Sequence, residues 1–228
     1  MGRKTAMIIG ALGLLAALGV IVGEPGAQRG ATPVRQPAEP GAIPPAAADG
    51  TTALEQAIID DSYSTFLDLL RRGADPNAVR RDGSTAIHLA AQHRNQRYLE
   101  RLLDHGGNPD SVARRLKRTP IFNALDSRRP DNRDLLIARG ANIEHADSMG
   151  SRPLAHAAAI NDFGSVWRLL QAGADPTATN NLGTTFQSSF FRTDPAIMSW
   201  EALRLRRKVV DLLEARGIPL DPKAKRTP

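Results

Sequence analysis

Cysteine is absent from the 228 residues of the chain, and aromatic side chains make up only 4% of it. Without cysteine, the chain has neither a lipid-modified cysteine anchor nor a zinc site built on thiolates. The shortage of aromatic rings leaves little surface on which nucleobases could stack, and this argues against nucleic acid as a partner.

Catalytic motifs are also missing. The sequence contains no G-x-S-x-G nucleophile motif and no glycine-rich phosphate loop. None of the five histidines lies in a zinc-ligand spacing, and we expect the neighbouring carboxylates Asp60 and Asp61 to face solvent at a helix end. The sequence therefore predicts no active site, no metal, no cofactor and no small-molecule substrate.

An apolar segment lies close to the N-terminus. Arg3 and Lys4 precede the uncharged residues 7–22, in the order that is typical of a signal sequence. Residues 1–23 are predicted to be either a signal-anchor helix in a bacterial inner membrane or a cleaved signal peptide, and the poor cleavage site ending at Gly23 favours the anchor. In both cases the basic N-terminus stays in the cytoplasm, so the rest of the chain is expected in the periplasm.

Residues 24–50 are rich in proline, alanine and glycine. Such a composition does not form a packed element, and we expect a disordered, partly extended linker. The linker would hold a folded domain away from the membrane surface without fixing its orientation.

Residues 51–228 contain five segments with the same layout. The predicted starts of a first helix are Thr52, Thr85, Thr119, Arg152 and Thr184, and the glycines that end a second helix are Gly73, Gly106, Gly140, Gly173 and Gly217. Successive starts recur at a period of about 33 residues, and in the first four segments the glycine follows the start at an identical interval. This period indicates helix-turn-helix units, covering about residues 51–80, 81–113, 114–146, 147–179 and 180–220, that bury their apolar faces by stacking.

The second unit carries the clearest motif. Its residues 85–91, TAIHLAA, have the T-x-L-H-x-A-A form of the first helix of an ankyrin repeat, and residues 102–106, LLDHG, resemble the end of the second helix. The chain thus resembles the ankyrin-repeat family. The resemblance implies an all-α solenoid of about five units that binds proteins through turn tips and first helices, and in which His88 satisfies backbone groups between adjacent turns.

Three units depart from this motif. Phe122 stands at the motif histidine in the third unit, and Ala155 stands there in the fourth. In the fifth unit, Ser188 and Ser189 are predicted to replace the alanine pair, and an insertion that includes residues 192–199 precedes a long final helix. We expect these units to keep the same fold, since the fold assignment rests on the period and on the helix-ending glycines, which they retain.

Basic residues are concentrated near the turns of the second and third units. Beyond residue 50 the chain has 26 Lys and Arg against 21 Asp and Glu. Stacking is predicted to align the basic residues into a stripe that meets an acidic protein, with a merely solvated surface as the alternative. The predicted protein-binding residues are Arg80, Arg81, Gln92, Arg94, Arg114, Arg115, Lys117 and Asn161.

Together these features predict a non-enzymatic protein-protein interaction module on the periplasmic side of the inner membrane. Exported bacterial proteins of the ankyrin family include some that protect cells from oxidants or toxins, so the resemblance is compatible with a role in stress protection. A periplasmic toxin-neutralising binder, a metal-binding or enzyme-like role for the insertion in the last unit, and a structural spacer are the alternatives.

Overall fold

The computed structural model describes residues 42–48 and 50–222. Within these residues the chain forms α-helices and one short 3-10 helix, Pro195–Ile197, and no strand beyond an isolated bridge between Ala113 and Arg118. The α-helices, in chain order, are α1 (Ala53–Ile59), α2 (Tyr63–Arg71), α3 (Ala86–Gln92), α4 (Arg97–Asp104), α5 (Pro120–Asp126), α6 (Pro130–Ala138), α7 (Pro153–Ala159), α8 (Phe163–Gln171), α9 (Gln187–Phe190) and α10 (Trp200–Ala215).

The helices pack in pairs, and the pairs stack. In the first four pairs the first helix has 7 residues and the second has 8 or 9. Helix α3 packs against α1 and α5 as well as against its own partner α4, and α7 packs against α5, α8 and α9. This is the all-α repeat stack that the resemblance implies, since each unit buries its apolar faces mainly against its neighbours.

Local sequence accounts for where the helices begin and end. The Thr52 hydroxyl accepts a hydrogen bond from the Glu55 amide at 3.2 Å, and a Glu55 carboxylate oxygen accepts one from the Thr52 amide at 2.8 Å. These two bonds satisfy amides that the first turn of a helix leaves unpaired. The glycines predicted to end the second helices all have a positive φ, between +66° and +97°. This left-handed conformation strains other residues and closes a helix end, so the predicted role of these glycines is confirmed.

The core contains alanines from the first helices and leucines from the second helices. Ala90 and Ala91 of α3 are fully buried, as are Ala157 and Ala158 of α7, because the first helices stand between neighbouring units at close range. The second helices contribute leucines such as Leu102, which is also fully buried. Small side chains on the first helices permit the close stacking that larger ones would block.

His88 connects the second unit to the third. Its Nδ1 accepts a hydrogen bond from the Thr85 amide at 3.2 Å, so its Nε2 carries the proton and donates to the Arg118 carbonyl, also at 3.2 Å. The imidazole thus satisfies backbone groups of adjacent turns, as the resemblance implies. Burial lowers the pKa of His88, which keeps the ring neutral.

The fifth unit begins one residue later than the sequence predicted. The Asn180 amide donates to the Thr184 carbonyl at 3.0 Å, just as the Arg80 amide donates to the Ser84 carbonyl at 2.8 Å. Thr184 therefore matches Ser84, and the unit starts at Thr185. The predicted start at Thr184 was wrong because two adjacent threonines offer the same sequence signal.

This register places Phe190 and Phe191 at the positions of the alanine pair. Their rings are 1% and 3% exposed, whereas Ser188 and Ser189 are half-buried. The expectation that serines replace the alanine pair was therefore wrong. Large rings fit here because, within the described residues, no further unit packs on the far side of α9.

The insertion separates α9 from α10, as the sequence predicted. The side chain of Arg206 is fully buried beneath it, where Nη1 donates to the Thr193 carbonyl at 3.2 Å and the guanidinium lies 4.8 Å from the centre of the Phe191 ring. Helix α10 has 16 residues, and many of the side chains on its outer face are charged. Charged side chains on this outer face keep it compatible with solvent.

The predicted signal or anchor at residues 1–23 lies outside the described residues, as does most of the predicted linker. Among the helices that the structure describes, none has the length and apolar character needed to cross a membrane.

Candidate protein-binding surface

Two neighbouring recesses lie along the first helices and the turns that precede them. We refer to residues 80–84, 113–118, 147–151 and 180–184 as the second, third, fourth and fifth turns, each closed by a backbone hydrogen bond between its ends. The first recess has a volume of about 300 Å³ and is lined by parts of the first three units. The second has a volume of about 210 Å³ and is lined by parts of the third, fourth and fifth units. Arg118 lines both recesses and separates them.

Arg118 is the centre of a polar network between the two recesses. Its Nη1 lies 3.1 Å from Asp126 Oδ2, its Nε lies 3.3 Å from Asp147 Oδ2, and the guanidinium stands over the Phe122 ring at 5.3 Å. The Nε2 atom of His156 is 2.6 Å from Asp126 Oδ1, and its Nδ1 is 3.4 Å from Arg118 Nη2. Arginine only donates, so Nδ1 of His156 accepts and Nε2 donates to Asp126. Both ring nitrogens are thus occupied, and the network joins the third unit to the fourth rather than presenting a general base.

Glu55 and Arg80 form a second polar contact at the edge of the first recess. The Glu55 side chain is fully buried, and its Oε1 lies 4.0 Å from Arg80 Nε. Burial raises the pKa of the Glu55 carboxyl, and the nearby Arg80 opposes that shift. Arg80, which the sequence suggested for partner binding, thus faces a buried carboxyl group of the first unit at a distance too long for a hydrogen bond.

The eight predicted binding residues fall into two groups at opposite ends of the first helices. Three of them, Gln92, Arg94 and Asn161, lie at or just beyond the ends of α3 and α7. The other five lie in the second and third turns: Arg80, Arg81, Arg114, Arg115 and Lys117. The structure brings Arg80, Gln92 and Arg115 together in the first recess, and the remaining five do not line it.

Several of these residues contact other parts of the chain. Arg94 Nη2 lies 3.0 Å from Asp61 Oδ2, and this bond lowers the pKa of Asp61. The Asn161 side-chain oxygen accepts a hydrogen bond from the Thr193 hydroxyl at 3.0 Å. Arg81 Nη2 donates to the Ala48 carbonyl at 2.8 Å. These contacts tie neighbouring units together and fasten the insertion and the entering chain to the stack.

The third turn exposes three positive charges. Arg114, Arg115 and Lys117 are all exposed, and they take part in none of the ion pairs seen between described residues. The first recess itself is of mixed charge, since Glu55, Asp82 and Asp126 line it together with Arg80, Arg115 and Arg118. Exposed positive charge thus lies at the third turn and, at the C-terminal end of the stack, on α10 at Arg204, Arg207 and Lys208.

Two features of this surface were not found from the sequence. The Arg118 network joins residues of different units, and nothing in the local sequence signals it. Leu116, Met149 and Leu182 are exposed at the same position of three successive turns. Because they recur once per unit, the sequence alone could have identified them.

No group of three or more His, Asp or Glu side chains within residues 42–48 and 50–222 is arranged to hold a metal ion.

Comparison with known proteins agrees with the helix-pair stack. Residues 54–147 match a family model described as ankyrin repeats (3 copies). The chain is 35% identical over 138 residues to the B-cell lymphoma 3 protein homolog of Mus musculus and 32% identical over 139 residues to Protein PhlB of Serratia liquefaciens. These alignments cover 59% and 61% of this chain, but only 31% and 60% of the two relatives.

Among solved structures, the chain is similar to the crystal structure of the ankyrin repeat domain of Bcl-3. The TM-score is 0.61 at 31% sequence identity, and the match covers 71% of this chain and 69% of the other.

Proposed function

Because the chain belongs to the ankyrin-repeat family, we propose that it is a non-enzymatic protein-binding module whose partner occupies the two recesses and the adjoining turns. The observation that carries the proposal is the open surface repeated along the stack. Exposed side chains of the first helices and turns, such as Gln92, Arg115 and Met149, line two adjacent recesses and are not needed to fill the core. A surface of this kind can be varied to suit a partner while the stack stays intact.

We propose further that the partner is acidic where it meets the third turn. Support comes from Arg114, Arg115 and Lys117, which add positive charge to an exposed turn at the edge of the first recess. Exposed charges at the rim of an interface mainly accelerate encounter and favour partners of opposite charge.

The place of action that we propose is the periplasmic side of the inner membrane, with residues 1–23 as the anchor. Arg3, Lys4 and the apolar residues 7–22 support this proposal, and the proline-rich residues 24–50 would give the domain reach. Stress protection is the process that we propose on the resemblance to exported bacterial ankyrin proteins. Identification of the partner separates this role from that of a toxin-neutralising binder.

In-cell photocrosslinking tests the proposal. A photoreactive amino acid placed at Arg115 of the full chain should capture a specific protein, whereas the same group at Arg97, exposed on α4, should not. Affinity for the captured protein is then measured at low and moderate salt for wild type and for the double variant Arg114→Glu/Arg115→Glu. Arg80 is left unchanged, because a glutamate there would face the buried Glu55.

The double variant should bind more weakly at low salt and show a flatter salt dependence, with circular dichroism confirming that it is folded. The matched control is Arg71→Glu/Arg97→Glu, which reverses two exposed charges on the second helices. Equal affinity of the folded double variant and wild type would reject the third turn as part of the interface.

A further inference from the structure

Three exposed apolar side chains occupy the same position in the third, fourth and fifth turns. Leu116, Met149 and Leu182 are 36%, 63% and 81% exposed and recur once in each of these units. The residue after each has a positive φ, between +52° and +72°, although the third turn is one residue longer than the other two. The second turn has Asp82 at the equivalent position. We call Leu116, Met149 and Leu182 the apolar row.

Backbone hydrogen bonds join the members of the apolar row along one edge of the stack. The Ser148 amide donates to the Leu116 carbonyl at 2.8 Å, and the Asn181 amide donates to the Met149 carbonyl at 3.2 Å. Each of these bonds links a residue of the row to the next turn. The side chains therefore project from neighbouring points of a continuous edge, not from separate loops.

The turns do not need these side chains for their own geometry. Asp147 Oδ1 accepts hydrogen bonds from the amides of Met149 and Ser151 at 2.9 and 3.0 Å, and Asn180 Oδ1 accepts one from the Leu182 amide at 2.9 Å. Met149 and Leu182 contribute only backbone groups to these turns. Large apolar side chains at successive tips thus expose surface without a folding benefit, and such surface is typical of an interaction site.

The charge beside the apolar row changes from one end to the other. Arg114, Arg115 and Lys117 surround Leu116. In the fourth turn Asp147 is buried, and residues 178–185 around Leu182 carry no charge. The row is therefore apolar and basic at the third turn, and apolar and neutral at the fifth.

From this arrangement we infer that the apolar row binds an extended segment of another protein, with apolar side chains against the row and carboxylates at the end that meets the third turn. The inference rests on the proposed function and names the chemistry of the partner. Packed helices lie about 8–10 Å apart, so neighbouring members of the row recur at about that distance. A polyproline II chain rises about 3.1 Å per residue and has three residues per turn, so every third residue of such a segment, about 9 Å further on, faces the row.

Selection from a library of random peptides displayed on phage tests this inference. The full chain is the immobilised target, and peptides that bind it are compared on the triple variant Leu116→Ser/Met149→Ser/Leu182→Ser. The matched control is Ile59→Ser/Ile197→Ser, which removes two apolar side chains that are 56% and 79% exposed outside the row. Thermal melts confirm that all three proteins are folded.

The selected peptides should carry apolar residues at every third position with Asp or Glu at one end, and should bind the triple variant ~10-fold more weakly or worse. They should bind the control like wild type. Peptides that bind wild type and the triple variant equally would overturn the inference while leaving protein binding in place. Recovery of no peptide would also overturn it, and capture of a protein at Arg115 then decides separately whether the proposed function stands.

Discussion

His88 is a buried, titratable side chain whose hydrogen bonds leave no acceptor for a second ring proton. Its Nδ1 accepts from the Thr85 amide and its Nε2 donates to the Arg118 carbonyl. Protonation would turn Nδ1 into a donor facing another donor, and burial opposes the charge. The pKa of His88 is accordingly lowered from its ordinary value in the folded protein.

The sign of the resulting pH dependence follows from proton binding. Below pH ~6.5 the unfolded chain protonates this histidine while the folded chain resists, so the free energy of unfolding falls as the pH decreases. Above that pH the ring is neutral in both states, and the contribution of His88 is fully present. The effect therefore appears between neutral pH and pH ~5.

Replacing His88 by glutamine isolates this effect, because the carboxylates titrate alike in both proteins. We expect His88→Gln to lower the free energy of unfolding by about 1–3 kcal/mol at pH 7.5, and the gap to wild type to narrow at pH 5.5. Urea unfolding, followed by circular dichroism at several pH values, measures this difference in the free energy of unfolding. His105→Gln, at an exposed histidine, should follow wild type. A constant gap across the pH range would show that His88 does not titrate as its burial requires.

Helices α4 and α6 show how second helices stabilise the stack. Leu102 is fully buried, whereas the adjacent Leu103 is only partly buried against the core. Helix α6 makes a related polar contact, since Asn132 Nδ2 donates to the carbonyls of Ala91 and His93 at 2.9 and 2.8 Å and thereby closes the end of α3. Each helix is thus stabilised by residues of the next unit as well as by its own.

Two leucine substitutions in α4 distinguish core packing from surface contact. Leu102→Ala should cost about 2–5 kcal/mol, as is typical when a large buried side chain is truncated, and Leu103→Ala should cost clearly less. Since each unit contacts mainly its neighbours, damage in the second unit should also reduce the cooperativity of unfolding. Urea unfolding curves report both quantities. An unchanged midpoint for Leu102→Ala would mean that α4 does not pack as described.

At the scale of the whole molecule, the proposed topology depends on residues 1–23. A reporter enzyme that is active only in the periplasm, fused after Gly50, should be active in cells. The basic pair before an apolar segment retains the N-terminus in the cytoplasm and sends the following chain across. Deletion of residues 7–22 from the same fusion should abolish the activity. Activity from a cytoplasmic reporter alone at this junction would place the domain on the other side of the membrane.

The period, the helix-ending glycines and the role of His88 could all be predicted from the sequence. Each depends on residues close together in the chain, such as the residues 85–91 that form a first helix, and on their repetition at about 33 residues. Gly106 ends its helix because glycine adopts the left-handed conformation without strain, whatever surrounds it. Local chemistry of this kind needs no knowledge of the stack.

Only the packing of the units against one another determines which charged side chains remain available to a partner. Arg80 faces the buried Glu55, and Arg94 pairs with Asp61, whereas Arg115 stays exposed. The positions of the aromatic pair in the fifth unit were also decided only by the structure, because Thr184 and Thr185 are equivalent starts until the Asn180 amide donates to the Thr184 carbonyl. The physical reason for the charged residues is that their ion pairs join residues about one repeat apart, whose distances are set by how neighbouring units pack. The start of the fifth unit is set instead by a hydrogen bond within one turn, which the sequence does not reveal.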